Sequence, residues 1–234
     1  MNILGLDTST MMSTCAVINE DKLLGEYSLN QDMTHSERLV PMIKEVLDNL
    51  NMKVKDIDLY GVAIGPGSFT GLRIGIATMK SFAHIFDKPI IGISTLEGLA
   101  YNLPYNEIVV PMIDARRERV YTAIYTWEDG ILKELIAPDV IPVDELIMKL
   151  RDFDSIVVNG NSTLLYRDRL EESLGNKLRI ATSGQNVCRA VSICELAKIK
   201  YEKGEVDNYF TLAPEYLRES QAQRELKEKE NKSS

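Results

Sequence analysis

The order of elements repeats along this chain, and that repetition limits the possible folds more than any single motif does. A predicted strand over residues 2–6 runs into Asp7, and another over 108–113 runs into Asp114. Each leads to a hairpin: 14–19 with 22–28 across Asn19-Glu20-Asp21, then 119–126 with 131–136 across Glu128-Asp129-Gly130. Each hairpin is followed by a helix, over 36–50 and 143–150, and then by a buried-type strand that ends on glycine. Those strands are 60–64 before Gly65 and 155–159 before Gly160. A helix over 71–86 and a strand over 89–93 finish the first half; helices over 164–174 and 186–201 finish the second. The pattern predicts an α/β chain of two tandem βββαβα halves with mixed sheets. Residues 1–104 and 105–214 form the halves, and 215–234 reads as a charged, flexible tail.

Composition narrows the function classes. The chain has 234 residues, 44% hydrophobic and 26% charged, the balance of a globular protein. Its 27 basic and 35 acidic residues give a net charge of −8. Acids and bases balance from Glu215 onward, so the excess negative charge sits on residues 1–214 and opposes binding of a phosphate backbone by this chain alone. The longest stretch without a charge, 59–72, contains four glycines and a proline and is shorter than the roughly 20 apolar residues of a spanning helix. The first residues carry no basic segment and meet Asp7, unlike a secretion signal. Cys15, Cys188 and Cys194 lack Cys-x-x-Cys spacing, which fits small core residues in a reducing cytosol.

The segment Gly65-Pro66-Gly67-Ser68-Phe69-Thr70-Gly71-Leu72-Arg73 leaves a strand and enters a helix. Two readings stand: backbone N–H groups aimed at an anion, or a structural turn in which Ser68 or Thr70 caps the helix. The spacing is not the dinucleotide fingerprint, and no Gly-Lys-Ser/Thr follows. Gly71 and Gly75 lie one turn apart beside Thr78, Met79 and Ser81. Glycine inside a helix costs roughly 1 kcal/mol relative to alanine, so another helix approaches closely, from this chain or from a second one.

Asp7-Thr8-Ser9-Thr10 ends the first strand where actin-like ATPases and sugar kinases carry a glycine-containing phosphate hairpin. Here no glycine is present, and Asp114-Ala115-Arg116-Arg117 also lacks one. Asn159-Gly160-Asn161 has a single glycine. Asp7, Thr8, Ser9, Asp114 and Gly160 therefore outline a degenerate nucleotide cleft. In the helix over 36–50, Leu39, Val40, Ile43, Val46, Leu47 and Leu50 recur at helical spacing. Thr34 and Glu37 suggest a capping box, and Pro41 a kink. His35-Ser36-Glu37 is no triad, because consecutive helical residues point about 100° apart. His35 and His84 offer no metal pair.

Ile3-Leu4-Gly5-Leu6-Asp7-Thr8-Ser9-Thr10, His35-Ser36-Glu37-Arg38-Leu39-Val40-Pro41, the glycine-rich segment through Gly75, and Pro214-Glu215-Tyr216-Leu217-Arg218 together resemble the TsaB (YeaZ) family. The resemblance spans residues 1 to about 218 and implies an actin-like ATPase (ribonuclease H-like) fold, cytoplasmic location, and a part in threonylcarbamoylation of tRNA adenosine 37. It implies no catalysis by this chain: the family is a scaffold and activator of TsaD, the ATPase TsaE joins the complex, and tRNA is met only through it. TsaD carries a metal-binding His-x-x-x-His; the matching segment here, Thr95-Leu96-Glu97-Gly98-Leu99, has neither histidine, so no metal and no cofactor are expected. A small-molecule kinase of the same fold is the alternative, and a peptidase-like hydrolase a weaker one. The resemblance also places TsaD, or a second copy of the isolated chain, on the two first-half helices. The residues expected to face it are His35, Leu39, Ile43, Leu72, Gly75, Ile76 and Met79.

Overall fold

A computed structural model describes residues 1–30, 35–104 and 108–218, and the side chains among them except those of His35 and Ser36. The first half runs β1 (Asn2–Asp7), β2 (Met12–Asn19), β3 (Lys22–Asn30), α1 (His35–Asn49), β4 (Leu59–Gly65), α2 (Phe69–Phe86), β5 (Ile90–Ser94) and α3 (Thr95–Tyr101). The second runs β6 (Ile108–Asp114), β7 (Arg119–Glu128), β8 (Ile131–Pro142), α4 (Val143–Leu150), β9 (Ile156–Asn159), α5 (Ser162–Leu165), α6 (Arg167–Leu174), β10 (Leu178–Ile180) and α7 (Ala190–Glu202). Two five-stranded mixed sheets result, ordered β3-β2-β1-β4-β5 and β8-β7-β6-β9-β10. The identical order in both halves is the duplicated actin-like arrangement expected from the sequence.

Differences from the expected elements have local causes. Two elements were not expected: α3, which follows β5 without a loop, and β10, which has three residues. The strand expected to stop at residue 136 continues to Pro142 through register shifts near Ile124. The helix expected over 164–174 breaks at Tyr166, whose backbone (φ −113°, ψ 16°) is not helical. Thr34 of the suggested capping box lies outside the described residues, and Pro41 sits inside α1.

Packing does not follow the division at residue 104. Leu96, Leu99, Ala100 and Leu103, on and just after α3, join Val109, Ile113, Ala123 and Trp127 of the second sheet in one core. Ala190, Ile193, Cys194, Leu196 and Ala197 of α7 instead cover the first sheet through Ile3, Ala16, Leu59, Ala63 and Ile91. Each half thus lends its last helix to the other. On the opposite face of the first sheet, α1 and α2 bury Leu39, Ile43, Leu72, Ile76 and Met79 against Leu4, Leu6 and Val62.

The seat of α7 explains two glycines. Gly5 of β1 and Gly61 of β4 are paired across the parallel ladder. A Cβ on Gly5 would lie 2.5 Å from both Ala190 O and Cys194 Sγ, and one on Gly61 would lie 2.9 Å from the Ala197 methyl. The pair makes a flat floor for the helix. Gly5→Ala should therefore lower stability by about 1–3 kcal/mol in urea unfolding, the usual cost of overfilling a packed core. Gly25→Ala, where a Cβ meets Val46 and Leu50 at 3.6–3.9 Å, should leave the midpoint nearly unchanged.

Candidate functional site

The loop after β1 folds back on itself. The Asp7 carboxylate accepts from Ser9 N–H (2.7 Å) and Ser9 Oγ (2.6 Å), and Thr10 Oγ1 accepts from Met12 N–H (3.3 Å). Asp7, Thr8 and Ser9 are all buried. The loop is also bonded to the glycine-rich turn. Thr8 Oγ1 donates to Gly71 O (2.7 Å), and Ser68 N–H donates to Ser9 O (2.6 Å). A Cβ at Gly67 would overlap Ser9 O, and one at Gly75 would overlap Thr8 Oγ1. The Ser9 N–H, the Ser68 N–H and the Thr8 hydroxyl are thus met by the chain's own atoms.

The capping contact expected of the turn is present. Ser68 is the N-cap of α2, its hydroxyl accepting from Gly71 N–H at 3.2 Å. The face of α2 at Gly75 is the seat of the Thr8 loop, with Leu6 alongside.

The partner-facing residues expected on α1 and α2 need correction for the same reason. Leu39, Ile43, Leu72, Ile76 and Met79 are at most 3% exposed and belong to the chain's own core, and Gly75 is buried beneath Thr8. They form the inner stripe of each helix. The outward residues are Val40, Pro41, Lys44 and Glu45 on α1 and Arg73, Ala77, Ser81 and Ile85 on α2. His35 begins α1.

The second-half residues assemble separately. Asp114 accepts from Arg116 N–H (2.9 Å) and lies 3.3 Å from the Arg116 guanidinium, while its own N–H donates to Asn161 Oδ1. Gly160, at φ +106°, crosses Met112 so closely that a Cβ would overlap Met112 O. Its N–H donates to Asn186 Oδ1 (3.2 Å), and its carbonyl accepts from Thr163 Oγ1 (2.8 Å). Thr95 and Leu99, where the resemblance puts two histidines, are fully buried on α3.

Two features escaped the sequence reading. Cys188 Sγ lies 3.8 Å from Ser9 Oγ, tying the first loop to the segment before α7. Residues 215–218, assigned to a flexible tail, instead pack on the glycine-rich turn: Glu215 N–H donates to Ile64 O (2.8 Å), and the Tyr216 ring stacks on Phe69. The apolar and aromatic content of Pro214-Glu215-Tyr216-Leu217-Arg218 was the available signal. Residues 219–234 lie outside the described residues.

The comparisons with known proteins agree with this geometry. The family model described as TsaD, tRNA N6-adenosine threonylcarbamoyltransferase, matches residues 22–226. The tRNA threonylcarbamoyladenosine biosynthesis protein TsaB of Bacillus subtilis is 33% identical over 95% of this chain and 96% of its own. The crystal structure of YeaZ from Pseudomonas aeruginosa superposes with TM-score 0.77 at 25% identity, covering 92% of this chain and 99% of that one. Component A of (R)-2-hydroxyglutaryl-CoA dehydratase from Acidaminococcus fermentans, at 15% identity and TM-score 0.53 over 86% and 99%, shares the fold. No helix among the described residues is long and apolar enough to cross a membrane.

All three thiols are free and buried. Burial, reinforced by the Glu26 and Glu45 charges, pushes Cys15 up to about 12. Burial raises Cys188, with Asp7 adding to it, and likewise Cys194. The native chain therefore keeps thiol protons that the unfolded chain releases above its ordinary value of 9.0. Stability conferred by this difference is complete below that value and is lost as pH rises toward the native values, at about 1.4 kcal/mol per pH unit for each thiol. Urea midpoints at about pH 8.5 and about pH 10 should fall accordingly, with a shallower fall in Cys15→Ala.

Proposed function

Because the chain belongs to the TsaB family of tRNA threonylcarbamoyladenosine biosynthesis proteins, we propose that it serves this modification as a non-catalytic subunit that holds and activates TsaD. The observation that carries the reading is the closed loop after β1. Thr8, Ser9 and Ser68 spend their donors on the chain itself, and Gly67 and Gly75 bring the turn within contact of the loop, where a phosphate would need room. A loop closed on itself in this way favours a surface role over nucleotide chemistry.

The surface is the outer face of α1 and α2. The two helices pack side by side over one core. Val40 is 53% exposed and Ile85 68% exposed, and Pro41, Ala77 and Ser81 are exposed as well. Thr78 Oγ1 donates to Ile74 O and Ser81 Oγ to Ala77 O, both at 2.8 Å. These hydroxyls are already satisfied within the helix, so a partner can cover them without stranding a donor. TsaD, itself of this fold family, is the partner that fits. When it is absent, the same face pairs two copies of the chain. TsaE joins the assembled complex, and tRNA is bound through that complex because the −8 charge opposes direct binding. The working location is the cytoplasm.

The deciding experiment is threonylcarbamoylation of tRNA by TsaD reconstituted with and without this chain; equal rates would overturn the proposal. Ala77→Glu keeps a helix-favouring residue on the exposed face. It should leave circular dichroism unchanged and weaken co-elution with TsaD by at least about tenfold. Gly75→Leu should instead cost folding, since its side chain would have to enter the space of Thr8.

A further inference from the structure

After α7 the chain returns to the first sheet. Asp207 bridges to Ile90 at the edge of β5, its N–H donating to Ile90 O, while its carboxylate accepts from Gly92 N–H at 2.8 Å. Lys80 Nζ on α2 donates to Phe210 O (3.3 Å) and Leu212 O (2.8 Å), and Leu212 enters the core. Up to this point the segment is fastened to the first half alone.

The next residues do something different. Glu215 O rests on Gly65, where a Cβ would be 2.5 Å away. The Tyr216 ring lies 3.9 Å from Phe69 and parallel to it within 1°. Its hydroxyl accepts from Arg73 Nε at 2.9 Å, and the Arg73 guanidinium sits 5.5 and 5.8 Å from the two ring centres. Two residues on, Arg218 Nη1 donates to Ala115 O at 2.7 Å, in the turn between β6 and β7 of the second sheet. One short segment thus touches the end of β4, the first turn of α2 and the hairpin of the other half.

We propose that residues 214–218 are a latch: an internal peptide ligand of the glycine-rich turn that ties the two halves together through Tyr216 on one side and Arg218 on the other. Gly65 is the part of the turn that receives the strand, Phe69 and Arg73 are the clamp, and Ala115 O is the catch. The contacts are made at the surface, with Tyr216 38% and Leu217 36% exposed. Water competes for each of them, so the latch belongs to the elements that open without global unfolding. Because Phe69 and Arg73 begin α2, opening the latch also frees the first turn of that helix. The inference rests on these contacts and not on the partner proposed above.

The test is hydrogen exchange by mass spectrometry on the full chain, comparing it with Tyr216→Ala, Arg218→Ala and Arg218→Lys. A latch opens as a unit. Either alanine variant should therefore speed exchange by about tenfold in both 64–73 and 114–119, while peptides of β1 and β2 stay protected. Arg218→Lys retains a donor for Ala115 O and should recover most of the protection at 114–119. If each alanine variant loosens only its own end, or if 114–119 exchanges unchanged in Arg218→Ala, the contacts are independent and the proposal fails. Tyr216→Phe, which keeps the stack and loses only the hydroxyl, gives the same comparison should Tyr216→Ala not fold.

Discussion

The rest of the first half depends on one close approach, the seating of the loop after β1 on the glycine face of α2. Thr8 can donate to Gly71 O because Gly75, one turn on, has no side chain to hold the loop away. Glycine within a helix is unfavourable by about 1 kcal/mol, and here the buried hydrogen bond and the contacts of Thr8 offset that cost. The same approach fixes where β1 ends, how α2 crosses the first sheet, and which of its stripes faces inward. Leu72, Ile76 and Met79 are carried into the core by that geometry, which leaves Ala77 and Ser81 outside.

The fold was legible where physical signals are local. Alternation and buried-type runs marked the long strands, and the turn residues marked both hairpins, because side-chain period and turn chemistry are properties of a few consecutive residues. The exchange of α3 and α7 between halves was not legible. Each of these helices is nearly apolar enough to suit either sheet, and only the paired Gly5 and Gly61 floor says where α7 goes. β10 was too short to carry a pattern.

The absence of glycine after β1 pointed to a degenerate cleft, and the loop is closed by its own hydrogen bonds. The residues assigned to a partner, however, were chosen for being apolar at helical spacing. That spacing identifies the face a helix buries in its own domain. Leu39 and Ile43 therefore could not serve both purposes, and a partner surface on such a helix has to be sought among residues that look unremarkable in sequence, such as Ala77 and Ser81. Their hydroxyl and methyl groups carry no periodic signal, and only the hydrogen bonds to Ile74 O and Ala77 O show that the stripe beside them is chemically quiet.

Two similar halves joined in one chain set a mechanical requirement of their own. Two sheets that each bury their faces against helices could still rotate about the chain segments that join them. The exchanged helices limit that rotation on one side, since α3 and α7 also touch each other and each is packed on the other half's sheet. On the side of the glycine-rich turn, the connections between halves among the described residues include Ser9 with Cys188 and Arg218 with Ala115 O. Tyr216 and Phe69 stiffen the second of these by holding the segment that delivers Arg218 flat against α2. On the proposed scaffold reading such a fastening has a use, because any hinge motion reaching Phe69 and Arg73 would tilt the first turn of the helix that carries Ala77 and Ser81.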